Sequence, residues 1–444
     1  MTTAADPTGS APAHRDLSIS EVRLTPILVA DPPLLNTQGV HQPYTPRLII
    51  EVVTEGGVTG LGETYGDTKY LDIARPLAEV VRGRSVTDLN ALPELAAEAC
   101  GDSPDATAAG AVDVGGLRGV QTADKLRLSV LSGFEVACLD AWGKAAGLPV
   151  HALLGGKVRD RVDYSAYLFY RWAEHPGGRG EPDDWAAATD PAGVVAQARR
   201  LADTYGFRSF KLKGGVYEPA EEIAAVRALA KEFPGQPLRL DPNGAWSVAT
   251  SLKVADELTD VLEYLEDPAS GTDRMAQVAA RTEIPLATNM CVTTFDEIAE
   301  AFTRGAVQVV LSDHHYWGGL RNTRELAAIC RTFGVGVSMH SNTHLGISLA
   351  AMTHVAATVP NLHHACDSHY PWQTEDVLTE RIAFKNGAVA VTDTPGLGVE
   401  LDRDRLAALH RRWLDDDGSQ RDRDDAAAMR IADPEWTTPA VPRW

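Results

Sequence analysis

Six polar side chains recur at nearly constant intervals in the second half of the chain, each closing a short apolar run. They are Lys213 in FRSFKLK, Asp241 in PLRLD, Glu266 in VLEYLE, Asn289 in IPLATN, Asp313 in VQVVLSD and His340 in VGVSMH. Counted from Lys211, the gaps are 30, 25, 23, 24 and 27 residues, about one strand-plus-helix unit each. That period predicts parallel strands closed into a barrel, whose C-terminal strand ends share one mouth. A first strand, DRVDYSAYLFY, precedes the series, and an eighth, NLHHACDSHY, ends near His369. Helical segments are expected in EPAEEIAAVRALAKEF, SVATSLKVADELTD, TTFDEIAEAFTRG, LRNTRELAAICRTFG and THLGISLAAMTHVAATV. Several of these open on Ser, Thr or Asp and close on Gly.

Ahead of the barrel, residues 17–62 read as strands: LSISEVRLTPIL, a loop DPPLLNTQGVHQPYTP, then RLIIEVVTEGGVTGLGE with GG at a hairpin. Helical patterns follow at 72–100 and 123–147, separated by the irregular Gly/Ala-rich GDSPDATAAGAVDVGGLRGVQT. This predicts an α+β unit over 17–150, a barrel over 151–395 and a C-terminal segment over 396–444. The 444 residues suit such a division, a barrel taking roughly 250 of them. Residues 1–16, polar and without an apolar leader core, are expected to be a disordered tail on a cytoplasmic enzyme.

Other partners are excluded by charge and composition. A net charge of −20 speaks against nucleic acid, which needs a basic surface. An anionic substrate would need a local cationic pocket or a metal. No run approaches the roughly 18 apolar residues of a membrane span. Five scattered cysteines, odd in number and without CxxC, predict neither a disulfide framework nor a zinc ribbon. A homo-oligomer is the usual outcome for a soluble enzyme of this kind.

Lys211 and Lys213 flank one residue on a strand and therefore share a face. Two adjacent amines repel, which would lower the pKa of at least one and prepare it as a base. Alone, KxK also fits an edge strand with solvated lysines. Asp241, Glu266 and Asn289 offer three hard oxygen ligands from consecutive strand ends, a set suited to Mg²⁺. Singly, each could be a cap or turn residue. With Asn in third place, two carboxylates neutralise the ion without excess negative charge against a dianion. Asp313 and His340 end adjacent strands, and an aspartate on one imidazole nitrogen fixes the tautomer and raises the basicity of the other. Further histidines (His314, His315, His344, His354, His363, His364 and His369) make zinc a rival metal. Against zinc, no HxH pair follows the first strand and the ready-made trio is all oxygen. His314, His315 and His344 read as pocket wall and His354 as part of a helix. Together these groups suggest metal-assisted removal of a proton next to a carboxylate.

From about residue 20 to the C-terminus the chain resembles the enolase superfamily, and within it the glucarate dehydratase group. The resemblance rests on LNTQGVHQPYTPR, FEVACLDAWGKAAGLPVHALLGG, FKLKGG, LRLDPNGAW, EYLEDP, PLATNMCVT, LSDHHYWGG, MHSNTHLGISLA, ACDSHYPWQ and PGLGVELD. It implies an N-terminal α+β capping domain, a (β/α)7β TIM-like barrel and a C-terminal segment returning to the cap. Lys213 would be the base that takes the proton, with Lys211 beside it, and Asp241, Glu266 and Asn289 would hold Mg²⁺. His340, oriented by Asp313, would work on the opposite face of the substrate, taking the proton of the epimeric diacid or giving one as the hydroxyl leaves. His41, Thr122, Tyr167, Lys211, Asn243, Asn289, Ser341, Asn342, His369 and Arg423 would contact a small acid-sugar (hexarate) substrate, Arg421 being the alternative to Arg423. The implied reaction is dehydration of D-glucarate, and of L-idarate, to 5-dehydro-4-deoxy-D-glucarate. Alternatives are the same chemistry on galactarate or altrarate, a zinc hydrolase on the same barrel, or a catalytically idle relative.

Overall fold

Alternating and continuous apolar runs in the N-terminal region build an antiparallel sheet of three strands, Ile19–Ala30, Tyr44–Thr54 and Thr59–Tyr65, with Tyr44–Thr54 in the middle. The computed structural model describes residues 16–100 and 122–444. The expected tail, up to residue 15, and the Gly/Ala-rich stretch 101–121 lie outside the described residues. Helices Thr68–Val80, Leu92–Cys100 and Ala123–Ala146 follow the sheet. The long helix Ala123–Ala146 opens on Thr122, whose side chain accepts from the Lys125 amide, and closes on the left-handed Gly147. It lies close against the sheet because Gly60 and Gly62 carry no side chain. A Cβ at Gly62 would stand 2.0 Å from the Gly133 carbonyl oxygen.

Eight parallel strands then close the barrel: Arg161–Phe169, Phe210–Lys213, Leu238–Asp241, Leu262–Glu266, Leu286–Thr288, Val309–Ser312, Gly336–Met339 and Cys366–Ser368. Each of the first six pairs with the next in sequence, and the eighth pairs with the first. The remaining seam is joined by a Val337–Leu362 bridge and by Ser338 Oγ donating to the Ala365 carbonyl at 3.0 Å. The polar residues that set the period stand at or one past these strand ends, as expected.

Two barrel helices go beyond the sequence expectations, Pro191–Tyr205 and Thr272–Ala279. The first has proper signals, with Asp190 as N-cap, Pro191 at the first position and Gly206 closing it. It follows an irregular Gly- and Trp-containing stretch that obscures its start. The second is short, with Arg, Asp and Gln among its eight residues. Inside the barrel, Tyr264, Ala287, Val309 and Leu311 form a small apolar cluster separate from the main core. Charged groups stand with it, because Arg239 and Lys211 also point inward and are fully buried.

The segment after the barrel carries two further helices. Helix Arg403–Asp415 packs on the first strand of the antiparallel sheet, with His410 Nδ1 2.7 Å from the Pro26 carbonyl. Helix Asp425–Ala432 begins at the end of the charged stretch DDDGSQRDRDD, capped by Asp424. Its Asp425 is buried and accepts from Asn36 Nδ2 at 2.7 Å. The final residues return to the barrel mouth, where the Trp444 carbonyl accepts from the Ser247 amide at 2.5 Å. All five cysteines are free. Among the described residues no helix is long and apolar enough to cross a membrane.

Candidate active site

Strand register brings both lysines to one face, as the KxK spacing requires, but each amine is met by acid. Lys211 Nζ lies 2.7 Å from Asp367 Oδ2, 2.5 Å from Glu266 Oε2 and 3.6 Å from Asp241 Oδ2. It also stands 4.7 Å from the centre of the Tyr167 ring. Burial works against this ammonium, but Asp367 and Glu266 outweigh it and hold its pKa well above the usual lysine value. The expectation of repelling amines is therefore corrected for Lys211, which is a fixed positive charge. Lys213 Nζ reaches Asp241 Oδ2 at 2.7 Å and Asn243 Oδ1 at 2.5 Å. Asp367 was no candidate from sequence, although a buried acid on the eighth barrel strand could have signalled a charge partner.

The three oxygen donors stand on neighbouring strands and are all buried. Asn289 Oδ1 and Glu266 Oε1 have no hydrogen-bond partner among the described residues. Burial pushes the Glu266 carboxyl well above its ordinary value, Lys211 only partly offsetting this. Burial also works against Asp241, yet Lys213 and Lys211 hold its carboxyl below the usual range. Buried oxygens lacking donors, beside a paired carboxylate, fit a hard cation.

Two strained residues shape this rim. Asn243 (φ 55°) and Asp267 (φ 39°) take left-handed conformations just after their strands. The first lets the Asn243 amide N–H donate to Asp241 Oδ1 at 2.9 Å. Asp267, which sequence reading passed over, accepts from the Asn289 amide at 2.9 Å and from the Thr288 hydroxyl at 2.5 Å. Burial and the neighbouring Asp241 push its carboxyl up to about 7. The side chain thus anchors the turn that presents Asn289.

Across the mouth, Asp313 Oδ2 lies 3.0 Å from His340 Nδ1. Burial lowers the His340 pKa despite the hydrogen bond its Nδ1 makes to Asp313, so the imidazole is neutral at neutral pH. Asp313 itself resists burial and is held well below the carboxylate range by His344 and His315. His315 Nδ1 lies 2.9 Å from Asp313 Oδ1, and His344 Nε2 lies 3.4 Å from Asp313 Oδ2. His354 sits in helix Gly346–Thr358, as expected.

The loop expected over the mouth contributes His41, whose Nδ1 is 3.2 Å from Asp31 Oδ2. Asp31 also accepts from Thr45 Oγ1 at 2.6 Å and faces Arg423 Nη1 at 3.5 Å. His41 and His369 rings stand 5.9 Å apart, and His369 lies 5.8 Å from the Tyr167 ring. Burial drives the His369 imidazole down to about 3. Its amide donates to Ser341 Oγ at 3.2 Å, and Asn342 is half-buried in the same turn. Arg423 therefore stands with His41, while Arg421 donates to the Trp413, Leu414 and Asp416 carbonyls at the end of helix Arg403–Asp415. Thr122 stands apart: its hydroxyl caps the long helix, and the next turn's Lys125 pairs with Glu297 at 2.9 Å.

Comparison with known proteins gives consistent matches. A family model described as enolase C-terminal domain-like matches residues 193–405. A "Probable glucarate dehydratase" of Streptomyces coelicolor is 79% identical over 431 residues, covering 97% of this chain and 100% of that protein. A solved enolase of Mycobacterium smegmatis in complex with tartrate is 54% identical with a TM-score of 0.90, covering 98% of this chain and 100% of that one. Another, from Thermobispora bispora with magnesium and formate, is 52% identical with a TM-score of 0.91, covering 97% and 100%.

Proposed function

Because the chain belongs to the enolase superfamily, within its glucarate dehydratase group, we propose that it dehydrates D-glucarate to 5-dehydro-4-deoxy-D-glucarate and accepts the epimer L-idarate. One observation carries the reading: buried oxygen donors with unmet valence lie between two amines on one side and an Asp-held imidazole on the other. Asp241, Glu266 and Asn289 would hold Mg²⁺, in keeping with the magnesium in the Thermobispora bispora relative. When bound, the ion supplies positive charge against the charge that develops on the substrate carboxylate.

The chain's own residues do the rest. Lys211, kept cationic, adds a second positive charge beside the same carboxylate. Lys213 Nζ takes the α-proton from one face, and the free nitrogen of His340, set by Asp313 on the other, serves the opposite face. Each of the two epimers then presents its α-proton to one of these groups. Departure of the β-hydroxyl with a proton as water leaves an enol that tautomerises to the keto acid. His41, His369 and Arg423 would hold the far end of a diacid polyol, with Tyr167, Asn243, Ser341 and Asn342 contacting it along its length. The antiparallel sheet and the C-terminal segment act as a cap that keeps bulk water from the intermediate. Free cysteines suit action in the cytoplasm.

The test is incubation with Mg²⁺ and a panel of hexarates in D₂O, following keto-acid formation and α-deuterium by NMR. D-glucarate and L-idarate should both react. If galactarate or altrarate reacts while D-glucarate neither dehydrates nor exchanges, the assigned substrate is wrong.

A further inference from the structure

The reaction as proposed uses Asp313 only through its bond to His340, yet that carboxylate is held by more than one imidazole. His315 approaches it twice: its amide N–H donates to Asp313 Oδ1 at 2.9 Å, and its Nδ1 lies 2.9 Å from the same oxygen. The other ring nitrogen, Nε2, lies 3.1 Å from the Glu63 carbonyl oxygen and 3.3 Å from Ser348 Oγ. Glu63 belongs to the antiparallel sheet, 252 residues away in sequence. Its carboxylate is itself fixed. Arg47 Nε and Nη2 donate to Glu63 Oε1 at 2.9 and 2.6 Å, the Leu345 amide donates to Oε1 at 2.9 Å, and the Ser348 amide donates to Oε2 at 2.9 Å. The Tyr65 ring, two residues along the same strand, stands 5.3 Å from His315, tilted by 49°.

His314, His315 and His344 also cluster closely enough to suggest a metal site. Both His315 nitrogens already face oxygens of the fold, so that ring could take up a cation only by giving up one of the contacts just described.

We propose that His315 is a positioning residue for the Asp313–His340 pair, and that through it the antiparallel sheet sets the orientation of the imidazole base. The physical argument is rotational. Asp313 presents Oδ2 to His340 only while Oδ1 is pinned, and the side-chain pin is His315 Nδ1. With only the backbone amide left on Oδ1, the carboxylate turns more readily about its terminal torsion and loses the His340 bond for part of the time, and with it the fixed tautomer. Lys213 takes no part in this network, being bonded to Asp241 and Asn243 on the far flank. Loss of His315 should therefore weaken one of the two proton transfers and spare the other. This inference rests on the two-base reading above.

The experiment measures α-proton exchange into D₂O from each epimer separately, in the Mg²⁺-loaded enzyme. Lys213→Ala identifies the epimer served by His340, as the one whose exchange survives. His315→Gln removes the Nδ1-side donor while retaining a polar group toward Glu63, whereas His315→Asn retains a donor near the Nδ1 position. The expected result is that His315→Gln slows His340-side exchange on the order of 10- to 100-fold, with Lys213-side exchange in the same sample nearly unchanged. His315→Asn should recover most of the loss. The unaffected epimer reports that the variant is folded and metal-loaded. Equal slowing of both epimers in both variants, or no slowing in either, overturns the assignment. If the unmodified enzyme exchanges neither epimer, the two-base reading itself has failed instead.

Discussion

On one flank of the mouth three carboxylates, Asp241, Glu266 and Asp367, surround two amines; on the other a single carboxylate, Asp313, faces the imidazoles of His315, His340 and His344. The amine flank is built from barrel strands and the turns that follow them. The imidazole flank leans on the antiparallel sheet, through Glu63 and Arg47. The difference separates two tasks. Opposite charges packed together keep Lys211 cationic and leave oxygens for a cation, whereas burial lowers the His340 pKa and favours its neutral, proton-accepting form.

The strongest way to break the contrast is to strike what both flanks share. Glu266→Gln removes a charge from the proposed cation site and from the partners of Lys211, so exchange from both epimers should fall together, on the order of a thousandfold. Metal titration followed by single-turnover kinetics would check it, and selective loss from one epimer would mean that the oxygen trio does not serve both bases. Striking the sheet should do the opposite. Arg47→Met strands the buried Glu63 carboxylate, a change expected to cost about 3–5 kcal/mol of stability. Denaturant unfolding would show this cost, and at permissive temperature His340-side exchange should suffer more than Lys213-side exchange.

A pH profile sharpens the same comparison. The His340 pKa is lowered by burial, so its neutral form persists as pH falls below the ordinary histidine value. The acid limb of kcat/KM for the His340-side epimer should accordingly lie below roughly pH 6.5. A limb above that value would show that Asp313 dominates burial.

The smallest effect is expected at the C-terminus. Arg443 and Trp444 bond to Ala245 and Ser247, in the loop that carries Asn243, and Arg443 Nη1 reaches the Val216 carbonyl at 3.3 Å. Deleting both residues should loosen that loop by about 1 kcal/mol, raising KM about fivefold with kcat nearly unchanged.

Much of this site was legible in the sequence because a strand end is a local feature. The spacing of Asp241, Glu266, Asn289, Asp313 and His340 specified the barrel, and their identities specified the two flanks. What escaped was the pairing of distant segments. The charge state of Lys211 depends on Asp367, 156 residues away, and no local pattern of KxK can report it. Asp31, Arg47 and Glu63 looked like ordinary polar positions in strands and loops. They acquire meaning only when the sheet is laid against the loops after the barrel strands. Asp267 was hidden in plain view, next to Glu266, because its role lies in accepting a hydrogen bond from the Asn289 amide and in a left-handed backbone. The tail helix Asp425–Ala432 was masked by its charge, although buried Asp425 is satisfied by Asn36 and Gln42.

The account stands or falls on the opposed placement of Lys213 and His340 across the oxygen trio. The direct measurement is α-deuterium incorporation from D-glucarate and L-idarate by Lys213→Ala and by His340→Asn, each loaded with Mg²⁺. Reciprocal loss is predicted, each variant failing on one epimer and retaining exchange on the other. Loss of the same epimer in both variants, or retention of both, would contradict it.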